Sequence, residues 1–277
     1  MELRNWQQEV IDSFPATIEK YRRFILKAPT GAGKTVLASE LIERFYKKKK
    51  VVVLCHRLVL LEQLESALSK RHRVHKLTLS DKSAAFEDYN ILLSTNLRAR
   101  AILDEAVPQA DLIIVDEAHR VSPNGNSYKQ IIDLFVEHGK TDAQFIGLTA
   151  SPERRTADQR DQLNLAFDAI IDCANIEELI EEGVLVKPVY RPHFVHDLDL
   201  SKLDIASGDF PVSKLSTSII NSSMIDCAIW SYMEEREKAR PKSISAWFCP
   251  DISVAEFTLE RIREKDIKGE IVTAGTP

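Results

Sequence analysis

Residues Ala28-Pro-Thr-Gly-Ala-Gly-Lys-Thr35 stand between the apolar run Phe24-Ile-Leu26 and an amphipathic stretch. The order is strand, loop, helix, and it restricts the chain to folds in which a tight turn presents a helix N-terminus at the end of a buried strand. Gly31 and Gly33 let consecutive backbone N–H groups gather round a polyphosphate, the Lys34 ammonium can reach the outer phosphates, and the Thr35 hydroxyl can hold a magnesium ion. Pro29, Thr30, Gly31, Ala32, Gly33, Lys34 and Thr35 are therefore the candidate nucleotide loop, and the implied ligands are a nucleoside triphosphate and magnesium. The usual pattern opens on glycine, where this chain has Ala28.

A second signal is Asp111-Leu-Ile-Ile-Val-Asp-Glu-Ala-His119. Parallel strands covered on both faces read as continuous apolar runs, so residues 112–115 are expected beside the first strand. They would deliver Asp116 and Glu117 at the carboxyl end of the sheet, where ligands collect in open α/β folds. Asp116 would hold the magnesium through its water shell, and Glu117 would polarise the water that attacks the γ-phosphate. An isolated Asp-Glu pair after a strand reads as a solvated acidic turn. Coupled to the loop at Lys34, it reads as catalytic.

Asp-Glu-Ala-His at 116–119 together with the loop at 28–35 resembles the superfamily two DEAD/DEAH-box helicases, including motors like the type III restriction subunit. Further motifs follow in order. Leu3-Arg4-Asn5-Trp6-Gln7 resembles the entry motif that reads adenine, with Asn5-Trp6 where relatives often carry Pro-Tyr; the resemblance gives Arg4 and Gln7 to the nucleotide, the Gln7 amide pairing with the base edge. Cys55-His-Arg-Leu-Val-Leu-Leu-Glu-Gln63 and Leu93-Ser-Thr-Asn-Leu-Arg98 resemble two nucleic-acid motifs, which assigns Arg57, Thr95 and Arg98 to a strand backbone. Gly147-Leu-Thr-Ala-Ser-Pro152 resembles the motif that couples hydrolysis to movement through Thr149 and Ser151, and His119 joins the catalytic set by the same resemblance. Ser245-Ala-Trp-Phe-Cys-Pro250 resembles the opening of a second motor domain.

The fold implied is α/β: a parallel-sheet P-loop NTPase (RecA-like) domain at residues 1–183, then a linker and the N-terminal part of a second RecA-like domain at 184–277. Complete motors of this kind carry a further strand-rich half domain with Gln and Arg residues that complete the nucleotide site. Residues 1–277 do not include such a segment, and Arg154 and Arg155 belong to the first domain, so weak ATP turnover by this chain alone is the expectation. The function implied is an ATP-dependent nucleic-acid helicase or translocase. The motor part of a restriction enzyme and a catalytically incomplete, nucleotide-dependent binding module stay open beside it.

At 277 residues and 44% hydrophobic content the chain can bury a sizeable core. No apolar run approaches a bilayer-spanning length and Met1-Glu-Leu-Arg4 lacks a signal-peptide layout, so the expected location is the cytoplasm, without a membrane partner. Cysteines at 55, 173, 227 and 249 lack paired metal-ligand spacing and read as reduced thiols. A net charge of −5 excludes a broadly basic surface but not local phosphate contacts. The expected partner is nucleic acid, DNA in preference to RNA, and the expected state a monomer. The run Lys47-Lys-Lys-Lys50 reads as a solvated helix end, with Arg57, Arg98 and Arg100 the better phosphate candidates.

Strands are expected at 24–26, 51–54, 74–79, 91–93, 112–115 and 145–148, with helices at 35–46, 58–69 and 128–137. An Asn175-capped short helix stopping at Gly183 closes the first domain. Beyond it, helices at 217–238 and 252–264 and strands at 243–249 and 271–273 are expected.

Overall fold

The computed structural model describes residues 3–56, 58–78, 80–81, 86, 88–103, 107–121, 127–152, 166–201, 211–238, 244–273 and 276. They fall into two compact units that divide between Lys187 and Pro188.

The first unit is built on a seven-stranded, all-parallel sheet: β1 (Arg23–Lys27), β2 (Val51–Cys55), β3 (Val74–Lys76), β4 (Ile91–Thr95), β5 (Leu112–Asp116), β6 (Gln144–Thr149) and β7 (Ala169–Asp172), in the order β3-β4-β2-β5-β6-β1-β7. Residues 112–115 do not lie beside β1 as expected, because β6 sits between them, pairing Ile25 with Gly147 on one side and Val115 with Gly147 on the other. Apolar runs report that a strand is buried on both faces and carry no information about its neighbour. The ends still align: Lys27 pairs with Thr149 and Asp116 with Leu148, so the loop, the acidic pair and the end of β6 emerge on one rim.

Side chains alternate across each strand, which divides the buried residues into two cores. One face, including Phe24, Leu26, Val53 and Ile114, is covered by α1 (Asn5–Lys20), α2 (Lys34–Phe45) and α3 (Leu58–Leu68). The other, including Ile25, Val52, Ile113 and Phe145, is covered by α4 (Asn96–Leu103) and α5 (Ser127–His138). At the centre of β6 a Cβ on Gly147 would stand 2.7 Å from the Ala118 Cβ and 3.0 Å from Ile25 Cγ1. Glycine there lets the acidic turn sit directly on the sheet. Gly147→Val is expected to destabilise the unit by about 2–3 kcal/mol through overpacking, read as a lower urea midpoint.

Several expectations change. β3 ends at Lys76 rather than 79, since the Thr78 N–H turns to the Asp81 carboxylate (2.5 Å). Helix α1, with Pro15 inside it, α4 and the edge strand β7 had no expected counterpart. The short helix α6 (Ile176–Glu181) is capped as expected, its Asn175 side chain accepting from the Glu178 N–H at 2.8 Å.

In the second unit the long helix expected at 217–238 is two helices, α7 (Val212–Ile220) and α8 (Met224–Lys238). The polar break between them is held by Asp197, which accepts from the Ser223 N–H and hydroxyl at 2.9 and 2.8 Å. Helix α9 (Ile252–Arg263) is capped by Asp251, whose other carboxylate oxygen accepts from Ser216 of α7 at 2.6 Å. Ile219, Ile225, Ile229, Val254 and Ile267 form its core. Residues 244–249 and 271–273 form no strand. Strand structure belongs to paired segments, and the elements described in this unit are helices. Both segments instead line a cavity of about 690 Å³ against α9.

Candidate nucleotide site

β1 delivers the chain into the loop, and the Ala28 N–H donates to the Thr149 carbonyl at 3.1 Å, which ties the loop to the end of β6. Gly31 and Gly33 take positive φ values of 79° and 99°, so the backbone reverses before α2 begins at Lys34. A Cβ on Gly33 would lie 2.9 Å from Gln7 Nε2. The first N–H groups of a helix have no partner within it and carry the positive end of its dipole, which makes the start of α2 the part of the loop that could hold a polyphosphate.

Lys34 Nζ donates to the Ala28 and Pro29 carbonyls, each at 3.2 Å. Burial pushes its pKa down, while the Glu117 and Asp116 carboxylates push it up. A half-buried ammonium that donates to its own loop carbonyls and feels the charge of two acids fits an anion with a bound cation. Thr35 and Asp116 are the residues that could hold that cation. Among the described residues there is no group of three metal-ligating acids, histidines or cysteines. A magnesium ion here would therefore take the rest of its oxygen ligands from phosphate and water, as is usual for it.

The N-terminal motif sits beneath the loop. The Arg4 guanidinium donates to the Gly31 carbonyl at 3.2 Å and to the Ala32 carbonyl, and Gln7 Nε2 donates to the Gly33 carbonyl at 3.0 Å. Gln7 Oε1 accepts from the Arg4 N–H at 2.9 Å, and the residue is 2% exposed. The Gln7 amide is engaged by the protein at both ends, and with Arg4 it braces the loop. Leu185, which the motifs did not single out, also packs there: its Cδ2 lies 3.2 Å from where a Gly31 Cβ would be. Only a view of the folded loop reveals it.

Asp116 ends β5 and accepts from the Glu117 N–H at 3.0 Å. Burial, then the neighbouring Glu117 charge, push its pKa up to about 6 against the opposing pull of Lys34. Glu117 has φ 52°, a left-handed conformation uncommon outside glycine, and begins a 3-10 turn over Ala118–Arg120. The turn brings His119 Nδ1 to 3.2 Å from Glu117 Oε2 and 2.9 Å from Thr149 Oγ1. Thr149 Oγ1 in turn accepts from the Ser151 N–H at 3.2 Å. Glu117, His119, Thr149 and Ser151 are thus one connected set, Ser151 joining through its backbone.

The residues expected to touch nucleic acid are placed unevenly. Arg57 lies outside the described residues, as do Arg154 and Arg155. Thr95 Oγ1 accepts from the Arg98 N–H at 3.3 Å and caps α4. The Arg98 guanidinium donates to the Thr78 carbonyl at 2.7 Å and to the Asp81 carbonyl, so it fastens the 78–81 turn. Arg100 Nε donates to Gln130 at 2.8 Å. All four cysteines are free thiols, and no helix among the described residues is long and apolar enough to cross a membrane.

A parallel sheet that feeds a glycine loop into a helix, with an acidic turn wired to the end of the strand between, defines a RecA-like domain of the superfamily two helicase class. More particularly, the chain belongs to the family described as type III restriction enzyme, res subunit, whose model matches residues 1–154. Among curated relatives, the type I restriction enzyme EcoAI endonuclease subunit of Escherichia coli is 26% identical over 91% of this chain and 33% of its own length. The helicase POLQ-like protein of Caenorhabditis elegans is 22% identical over 89% of this chain and 26% of its own length. The chain thus spans about a third or less of these two relatives. The crystal structure of the Pyrococcus furiosus Hef helicase domain is similar in fold, with a TM-score of 0.51 at 20% identity, over 97% of this chain and 54% of that one.

Proposed function

We propose that this chain binds ATP with magnesium and hydrolyses it to drive movement along nucleic acid, as the motor of a helicase, translocase or restriction enzyme. The observation that carries the reading is the connected set on one rim: a desolvated Lys34 facing Asp116 and Glu117, with Glu117 joined through His119 to Thr149. The α2 N–H groups and Lys34 hold the phosphates, and Arg4 and Gln7 keep the loop in shape beneath them. Thr35 and Asp116 would hold magnesium, which when bound neutralises charge on the phosphates. Glu117 orients the attacking water and accepts its proton at the carboxylate, the group His119 fixes in place. His119 and Thr149 carry any shift of that carboxylate to the end of β6, which supports the coupling role given to Thr149 and Ser151.

The family match and the Escherichia coli relative favour a restriction-type motor, and with it DNA over RNA, contacted through Arg57, Thr95 and Arg98. In the same reading residues 1–183 are the first RecA-like domain and 184–277 a linker with the start of the second. The protein would work as a monomer in the cytoplasm, which suits its four free thiols. Glu117→Gln tests the chemistry. The amide keeps the shape but polarises water poorly, so ATP and magnesium affinity should hold while steady-state hydrolysis falls by about a hundredfold or more. Equal turnover in the two proteins removes the general-base role.

A further inference from the structure

At the rim away from the nucleotide loop, where β2, β3 and β4 begin, three stretches distant in sequence meet. Lys47 and Lys48 come from the approach to β2, Arg71, His72 and Arg73 from the approach to β3, and Asp88, Tyr89 and Asn90 from the approach to β4; together they line a cavity of about 470 Å³. Four of these residues are lysine or arginine and one, Asp88, is a carboxylate. This is a local reversal in a chain whose net charge is −5.

The groove is braced rather than loose. The Asn90 side chain accepts from the Arg73 N–H at 3.2 Å and donates to the Lys47 carbonyl at 3.5 Å, while the Asn90 N–H donates to the Arg73 carbonyl at 3.1 Å and its carbonyl accepts from the Val51 N–H at 2.9 Å. One residue therefore joins both basic stretches. Lys47, Lys48, Arg71 and Arg73 are all exposed. Lys47 pairs with Glu43 at 2.5 Å and Arg71 pairs with Glu40. The cations are the exposed members of these pairs and the carboxylates the covered ones, so each cation can add a phosphate on its solvent side. Arg73 is exposed and donates from Nη1 to the Asp88 carbonyl at 3.2 Å, one of its guanidinium's five donors. In the wall, the His72 side chain is 1% exposed, and its Nε2 makes no hydrogen bond, standing 3.5 Å from Glu43 Oε2. Tyr89, stacked on His75 at 4.7 Å, adds a flat ring at the rim.

We propose that this groove is a second anchoring site for the phosphodiester backbone of nucleic acid, separate from the motifs on the opposite rim. Lysines and an arginine fork carried on a backbone that Asn90 braces match the repeated phosphates of a strand. The solvated helix end read from Lys47-Lys-Lys-Lys50 is then one wall of a built site. The inference rests on the reading of this chain as a nucleic-acid motor.

The test is fluorescence anisotropy with labelled single-stranded and duplex oligonucleotides across a range of salt, using the full chain and the triple variant Lys47→Glu, Lys48→Glu, Arg73→Glu. The variant should lose affinity by about tenfold or more, and the slope of log affinity against log salt should fall by about 2 on single strands and about 3 on duplex, while binding of a fluorescent ATP analogue and the melting temperature stay near the parent's. Glutamine at the same three positions should give the same loss of slope, which separates lost contacts from introduced repulsion. A folded variant with the parent's affinity and slope overturns the groove alone. A parent that binds neither oligonucleotide overturns both the groove and the motor reading. Polyglutamate displacing the oligonucleotide as well as an equal charge of competitor DNA would reassign the groove to an acidic protein and overturn the phosphodiester assignment.

Discussion

Replacing Lys34 with alanine is expected to lower affinity for ATP on the order of a hundredfold while leaving the fold in place. Truncating one member of a desolvated charge pair costs about 2–5 kcal/mol, and each 1.4 kcal/mol is roughly a factor of ten. The lysine is well placed for such a loss. Its ammonium is half-buried, feels the charges of Asp116 and Glu117, and donates to the Ala28 and Pro29 carbonyls of its own loop. Removing it leaves those carbonyls to water and opens no apolar cavity, since the side chain lost is a half-exposed ammonium on the loop and not a core residue. Titration with a fluorescent ATP analogue, with circular dichroism as the check on folding, decides the matter. Unchanged affinity in a folded variant would remove the phosphate-ligand role and the nucleotide reading of the loop with it.

How far the sequence anticipated this site depends on which interactions make it. The loop and the acidic pair were legible because their backbone demands are local: glycine at 31 and 33 for the turn, apolar runs for the strands, and carboxylates at a strand end. What stayed hidden is tertiary. Nothing in residues 112–115 says that β6 intervenes between them and β1, and the bond from His119 to Thr149 follows from that placement. The chemistry of Gln7 and Arg98 is legible, but not the bonds they make within the fold: Gln7 to Arg4 and Gly33, and Arg98 to the 78–81 turn. Helix α1 carries Pro15 in its interior, a residue that ordinarily interrupts a helix. In the second unit, apolar runs at 244–249 and 271–273 suggested strands from composition alone, and strand structure needs a paired neighbour.

Asp116→Asn should stabilise the metal-free protein above pH 6 and abolish magnesium-dependent turnover. An aspartate whose folded pKa is raised from 3.8 to about 6 binds more protons in the folded chain than in the unfolded one across that interval. Folding stability therefore falls as pH rises through it, and the deficit is complete once pH exceeds the folded value. A gap of about two units corresponds to about 3 kcal/mol at neutral pH. Asparagine has no charge to desolvate, so its advantage over the parent should grow from about 1 kcal/mol at pH 4.5 to about 3 kcal/mol at pH 7. For a chain of this size that is a rise in melting temperature of roughly 5–10 °C at neutral pH. The measurement is urea or thermal unfolding in chelator-containing buffer at a series of pH values. Glu117→Gln supplies a graded comparison, because the Glu117 charge is the second cause of the shift after burial, so it should recover part of the gain and no more. Parallel pH profiles for parent and Asp116→Asn would show that the carboxyl is not strained by its surroundings. A diverging profile with lost turnover would show that this position keeps a costly charge for function, the trade expected where a site sacrifices stability to hold a cation.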